Sequence, residues 1–233
     1  MKKTLLLTTI VLFSLVFISC SDDKDEPTTP DNHEYVDLGL PSGTLWATCN
    51  VGADTPEGYG DYFAWGETKP KEVYNWQTYK WCKGSYDTLT KYCTTDDLGK
   101  VDRKTELVPE DDAAYVNWGP KWRMPTQEQQ KELIEKCRWT METRNGVEGR
   151  LVTGPNGNTL FFPAAGYYED SSLQEAGLTC SCWSRSCYTS NGISTNAFSA
   201  ADMGFEEETL CYLNGRYHNR YYGHSVRAVR VSE

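Results

Sequence analysis

The spacing of apolar and polar positions changes several times along this chain. Residues 5–18 are almost wholly apolar, interrupted only by Thr8, Thr9 and Ser14, and follow Lys2 and Lys3. A run of that length is short for a bilayer span and suits the hydrophobic part of a removable secretory signal, residues 1–19. From Cys20 to Glu34 the apolar pattern disappears, and Pro27 and Pro30 interrupt the chain. Nothing there can bury enough surface to fold, so these residues are read as a disordered tether reaching roughly 20 Å.

The body, residues 35–233, shows mostly short periods. Leu45-Trp46-Ala47-Thr48-Cys49 and Tyr62-Phe63-Ala64-Trp65 are apolar runs bounded by Gly, Pro and Asp, the punctuation of strands. One helix is marked at its start. Thr126-Gln127-Glu128-Gln129 fits a capping box, and Leu133, Ile134 and Cys137 then share a face. Leu151-Val152-Thr153 and Thr159-Leu160-Phe161-Phe162 flank Gly154-Pro155-Asn156-Gly157, a strand–turn–strand pattern in which Asn156 and Gly157 supply positive φ angles. Residues 225–231 predict a closing strand. Long Gly/Asn/Ser/Tyr stretches lie between. The pattern predicts one α+β domain, rich in loops, with short antiparallel strands and one or two helices, its function carried by the loops.

Composition narrows the function. The net charge is −10, and removal of Lys2 and Lys3 makes the mature chain more acidic, which argues against nucleic acid as a partner. No Gly-x-Ser-x-Gly, His-Glu-x-x-His or phosphate-cradling glycine loop is present, and His33 falls in the tether, so the chain is read as no enzyme. Setting Cys20 aside, eight cysteines remain, of which Cys180, Cys182, Cys187 and Cys211 crowd together. An exported compartment permits disulfides, but sequence leaves the pairing open. Glu106, Glu110, Asp111 and Asp112 form an acidic group that reads as a solvated turn or the start of a helix. Calcium is the alternative cofactor there, without EF-hand spacing. Cys211, His218 and His224 match no metal-ligand spacing. Trp46, Trp65, Trp122 and Trp183 sit beside Gly and Pro in the motifs that carry a family resemblance, which implies core rather than sugar platforms.

Two resemblances add to this. Phe17-Ile18-Ser19-Cys20 resembles a bacterial lipobox, in which the cysteine is acylated and becomes the first residue of the mature protein. Each buried methylene contributes about 0.8 kcal/mol, so two or three chains on Cys20 would hold the protein at a membrane. The acidic run 21–26 resembles the surface-export signal of Bacteroides-type lipoproteins, which implies the cell surface of the outer membrane. Asp87-Thr88-Leu89 resembles the short O-glycosylation motif of the same proteins.

The second resemblance covers residues 35–231. Tyr35-Val36-Asp37-Leu38-Gly39-Leu40-Pro41-Ser42-Gly43-Thr44-Leu45-Trp46-Ala47-Thr48-Cys49-Asn50-Val51-Gly52-Ala53, Tyr62-Phe63-Ala64-Trp65-Gly66-Glu67, Trp122-Arg123-Met124-Pro125-Thr126, Phe162-Pro163-Ala164-Ala165-Gly166-Tyr167, Cys182-Trp183-Ser184 and Tyr221-Tyr222-Gly223-His224-Ser225-Val226-Arg227 together are similar to the Fibrobacter succinogenes major paralogous domain family. That family is related to the C-type-lectin-like fold, in the branch shared with formylglycine-generating enzymes. The resemblance implies a small sheet tying both chain ends together and a loop-rich surface. His224 stands where the family usually has Phe or Leu, Ala228 where it has Pro, and Ser181-Cys182-Trp183-Ser184-Arg185 where it has Tyr-Tyr-Trp-Ser-Ser.

Targets of diversity-generating retroelements occur in this fold class, and residues 180–224 carry the Tyr, Ser, Asn, Arg, His and Cys that randomised adenine codons yield. Such a mixture also suits a paratope. The ligand-binding residues expected are Arg185, Tyr188, Asn191, Tyr212, Asn214, Arg216, Tyr217, His218, Asn219 and Tyr222, with Trp183 and Arg227 structural. The partner expected is a protein or glycan ligand on another cell, a phage or a host, with the membrane engaged through the lipid. A structural subunit of an appendage or envelope complex is the alternative, and a formylglycine-generating-type oxidase a more distant one.

Overall fold

Two ends of the sequence meet in the first sheet. In the computed structural model the described residues are 32–188, 198–206, 211–214 and 219–230. Strand β1 (Tyr35–Asp37) pairs antiparallel with β2 (Leu45–Asn50). The last strand lies against β2 in turn, so residues nearly two hundred positions apart share a ladder. Numbered in chain order, the later elements are α1 (Ala113–Trp118), β3 (Trp122–Arg123), α2 (Gln127–Lys136), β4 (Arg138–Arg144), β5 (Val147–Thr153), β6 (Thr159–Pro163), β7 (Tyr167–Glu169), β8 (Ser172–Gln174), β9 (Cys180–Cys187), β10 (Ala200–Phe205), β11 (Tyr212–Leu213) and β12 (Arg227–Arg230). The sheets run β1-β2-β12-β3, β4-β5-β6, β7-β8 and β11-β10-β9, all with antiparallel pairings. Small antiparallel sheets with two α-helices make this a loop-rich α+β chain. Among the described residues no helix is long and apolar enough to cross a membrane.

Arg227 holds the first sheet to the second. Its side chain is fully buried, and Nε donates to Asn50 Oδ1 at 2.9 Å. Nη1 donates to the carbonyls of Ala47, Thr48 and Phe161, at 3.3, 3.1 and 3.1 Å. The guanidinium also lies 4.4 Å from the centroid of the Phe162 ring. One side chain thus ties β12 to β2 and β6, using charge-assisted bonds to backbone that no water can reach. Beside it, the β2–β12 register shifts between Arg227 and Val229, leaving Ala228 at an irregularity. A proline can sit at such a position without removing a ladder bond, which is a physical reason for the resembled family's Pro there.

The four tryptophans read as core are all fully buried. Helix α2 has the expected capping box: Thr126 Oγ1 accepts from Gln129 N, and Gln129 Oε1 accepts from Thr126 N. Leu133 is buried on its inner face with Ile134 packed beside it.

Three expectations need correction. Tyr62-Phe63-Ala64-Trp65 makes only a bridge, Phe63 opposite His224, and the carbonyls of Tyr62 and Trp65 are taken by the hydroxyls of Tyr74 and Tyr79 rather than by a neighbouring strand. The β5–β6 connection spans residues 154–158, and only Gly157 has positive φ, at 87°. The Asn156 side chain instead accepts from Asn158 N and donates to Asp37 O, pinning the turn to β1. The order also begins before Tyr35. His33 stacks on Trp118 with centroids 3.9 Å apart, and Glu34 O accepts from Thr48 N. Strand β4 was unread in the sequence, although Asn145-Gly146, with φ of 50° and 82°, is the two-residue turn signal that joins it to β5.

Candidate functional site

Strand β9 is buried along almost its whole length and forms the base of the candidate region. Trp183 Nε1 donates to Phe63 O at 2.8 Å, and the Trp183 ring stacks on His224 with centroids 3.9 Å apart. His224 is itself fully buried. Its flat ring therefore packs in the core, away from the surface.

Strands β10 and β11 complete the sheet beside β9. Gly204 lies under Tyr212: a Cβ there would stand 2.7 Å from Tyr212 Oη and 2.0 Å from Cys180 O. Tyr212 Oη donates to that Cys180 carbonyl at 3.4 Å, and burial pushes its phenol well above the usual range. Asn214 follows with φ of 60°, its amide donating to Asp202 O at 2.7 Å. Asn219 then bridges Ser199, which precedes β10. Tyr188 N donates to Ser199 O at 3.4 Å from the other side. Ser199 thus joins Tyr188 and Asn219 at one end of the sheet.

Of the ten expected ligand-binding residues, Tyr188 and Asn219 are brought together there, both half-buried, while Asn214, also half-buried, stands beside Asp202 within β10. Tyr212 lies further along β11. Arg185 is also half-buried, and pairs with Glu106 at 3.3 Å. Its backbone is clamped between Pro125 O and Leu107 N. Asn191, Arg216, Tyr217 and His218 lie outside the described residues, as does Cys20. Tyr222 is a correction. It is only 8% exposed, its ring packs edge-on against Tyr167 at 5.6 Å, and its hydroxyl donates to Glu169 Oε1. Burial makes it part of the core.

The same region rests on Arg220, a second fully buried arginine. Nε donates to Ser199 O at 3.3 Å, Nη2 to Cys187 Sγ at 3.1 Å, and the guanidinium lies 4.6 Å from the centroid of the Trp65 ring. Sequence reasoning passed over Arg220. It also passed over Tyr86, an exposed aromatic whose ring meets Phe198 at 5.6 Å, beside Ser199. Tyr86 comes from a turn more than a hundred residues earlier, so no local pattern announces it.

The acidic group lies at the start of a helix, one of the two readings made for it: Pro109–Asp111 form a 3-10 turn leading into α1, with Glu106 and Glu110 exposed and Asp111 and Asp112 buried. Asp111 is buried, bound by Lys91 and by Tyr92 Oη at 2.6 Å, with Lys80 at 3.7 Å. Asp112 is fully buried and caps α1 by accepting from Ala114 N and Tyr115 N, while Met124 N reaches both its oxygens. Burial pushes its carboxyl up, and these amides pull it back down. Both carboxylates are thus engaged by protein donors. Among the described residues no group of three or more His, Cys, Asp or Glu is placed to hold a metal. The eight cysteines of the body are free thiols, with Cys180 and Cys182 Sγ atoms 3.6 Å apart. Thr88 of the glycosylation-like triplet has its hydroxyl engaged, donating to Ser85 O and accepting from Lys83 N and Ser85 N.

No protein-family model, curated protein or solved structure matches the chain.

Proposed function

We propose that this chain is an exported lipoprotein of the outer-membrane surface, acylated on Cys20, that displays a non-enzymatic ligand-binding domain. Its proposed family is the Fibrobacter succinogenes major paralogous domain, with a C-type-lectin-like fold. The meeting of β2 and β12 in one sheet supports that fold, as does Arg227 at its centre, within a motif quoted for the resemblance.

One observation carries the binding role: Ser199 gathers Tyr188 and Asn219 at one end of the β9–β11 sheet, while the residues beneath them are buried. That arrangement suits Tyr and Asn contacts on a fixed base. The ligand is a protein or glycan presented by another cell, a phage or a host.

The test is to sequence the gene and its flanks from several isolates. The reading expects substitutions concentrated at adenine-containing codons within residues 185–219, opposite a nearby template repeat, with Trp65, Trp183, Arg220 and Arg227 unchanged. An invariant segment with no template repeat removes the diversified surface and leaves a fixed recognition or structural role.

A further inference from the structure

Most sheet edges in this molecule are short or covered. Strands β1, β3, β7, β8 and β11 are two or three residues long. The outer side of β9 is bonded: Leu107 N donates to Arg185 O, and Arg185 N and Cys187 N donate to Pro125 O and Thr105 O. On β6 the carbonyls of Phe161 and Pro163 accept from Arg227 Nη1 and Ala165 N. Strand β4 is different. It is seven residues long, pairs only with β5, and keeps an unbroken register. It has no proline, lysine or bulge, the devices that blunt an open edge. Ala164 N donates to Glu148 O, so Glu148, Arg150 and Val152 turn their backbone groups to β6. Gly149, Leu151 and Thr153 then bond Glu142, Thr140 and Arg138 of β4. The N–H and C=O groups of Trp139, Met141 and Thr143 therefore point away from the sheet, and among the described residues nothing bonds them.

We propose that this edge pairs antiparallel with the same edge of a second copy of the chain, about a two-fold axis through Thr140. Outward groups must meet outward groups, so the axis has to pass through a residue rather than between two. Three such registers keep at least five residues of each β4 paired. An axis through Met141 sets Arg138 against Arg144, and one through Glu142 sets two carboxylates face to face, both of which repel. An axis through Thr140 sets Arg138 against Glu142 twice. Arg138 is exposed, and Glu142 spends only Oε1 on its own Arg144. The same register lays Met141, 51% exposed, against the Trp139 of the second copy, an S–aromatic contact repeated on both sides of the axis. A foreign strand could use the same backbone groups, but the self-complementary charges select a second copy. The seam is short, and the net charge of −10 on each chain opposes approach, so the pairing is reversible rather than permanent. The proposal is independent of the proposed surface-binding role, since it uses none of the same residues.

The test uses the full chain in membranes and in mild detergent. Sedimentation velocity should show a mass that rises reversibly from monomer to dimer with concentration. Thr140→Cys places two thiols across the axis on Cα atoms about 4.5 Å apart, within disulfide reach. Diamide should then give a covalent dimer on non-reducing gels. The parent chain should give none, and neither should Met141→Cys, whose thiols stand diagonally on Cα atoms about 7–8 Å apart. Arg138→Glu should weaken the dimer about tenfold, since two attractive pairs become repulsive, and adding Glu142→Arg should restore it. Met141→Lys should abolish it. Unchanged far-ultraviolet circular dichroism establishes that these edge variants fold. A monomer at every concentration with no Thr140→Cys crosslink overturns the proposal, as does a dimer indifferent to Met141→Lys. An Arg138→Glu variant that dimerises more tightly overturns the register through Thr140. A monomer that retains another protein at this edge, and loses it in Met141→Lys, overturns self-pairing in favour of a foreign strand.

Discussion

Two buried arginines show how differently two regions of this molecule are held. Arg227, in the sheet that joins the chain ends, makes four hydrogen bonds with Asn50, Ala47, Thr48 and Phe161. Arg220, beneath Tyr188 and Asn219, has one carbonyl and one thiol; each guanidinium keeps one nitrogen with no hydrogen-bond partner, Nη1 in Arg220 and Nη2 in Arg227. Both are fully buried, and among the described residues no carboxylate pairs with either. The difference is whether carbonyl dipoles replace the water each cation has lost. Where they do, the arginine is a bolt between strands distant in sequence. Where they do so only in part, burial and attraction nearly offset each other.

Breaking the first region should have the largest effect. Arg227→Met strands three carbonyls and the Asn50 amide oxygen, and should destabilise the domain by about 3–5 kcal/mol in urea unfolding. Arg227→Lys should recover less than half of that, since an ammonium cannot reproduce the planar fork. Asp112→Ala comes next. It removes the cap of α1 together with the acceptor for Met124 N, for an expected loss of about 2–3 kcal/mol in the same measurement.

An alkaline titration sharpens the comparison from another side. Burial pushes the Cys137 thiol up to about 11 and that of Cys211 up to about 12. The unfolded chain releases these protons near the ordinary thiol value of about 8.5, before the native state does. Their contribution is therefore fully present below about pH 8.5 and is lost as pH rises through the folded values. Thermal unfolding scanned from pH 7 to 11 should show Tm falling across the upper half of that range. Cys137→Ala and Cys211→Ala should each flatten the fall. A Tm that does not change with pH would mean that these thiols are no better shielded from water in the native state than in the unfolded chain.

Smaller effects belong to the second region. Arg220→Met should change stability by no more than about 1 kcal/mol, because it removes a poorly compensated cation and leaves an apolar side chain of similar length against Trp65. A loss as large as that at Arg227 would erase the distinction between the two arginines. Arg185→Ala should be smaller still, within about 0.5 kcal/mol, since its pair with Glu106 is partly solvated. Under the proposed binding role the same change should nonetheless weaken ligand capture on whole cells, which separates a surface contact from a structural one.

Several local features were legible in the order of residues. The capping box at Thr126 and strands β2 and β12 follow from short-range chemistry. The Asn145-Gly146 turn was legible too and passed unread. Tyr222 was not: its neighbours in sequence are polar and variable-looking, and only Tyr167 and Glu169, brought in by β7, bury it. The same holds for Asp111 and Asp112. Three acidic residues in a row, Glu110 to Asp112, suggest solvent until Lys91, Tyr92 and Met124 arrive from elsewhere to occupy the last two.

The sequence alone determined the class of structure, since alternation, turn residues and caps act over a few positions and need no partner. It also supplied the residue types from which the proposed recognition surface is drawn. Tertiary structure decided which of those residues face water. Burial depends on long-range neighbours: His33 against Trp118, Tyr86 against Phe198, and the carbonyls of β2 and β6 around Arg227. None of these pairings is encoded by spacing along the chain, because each is fixed only when the sheets close on one another.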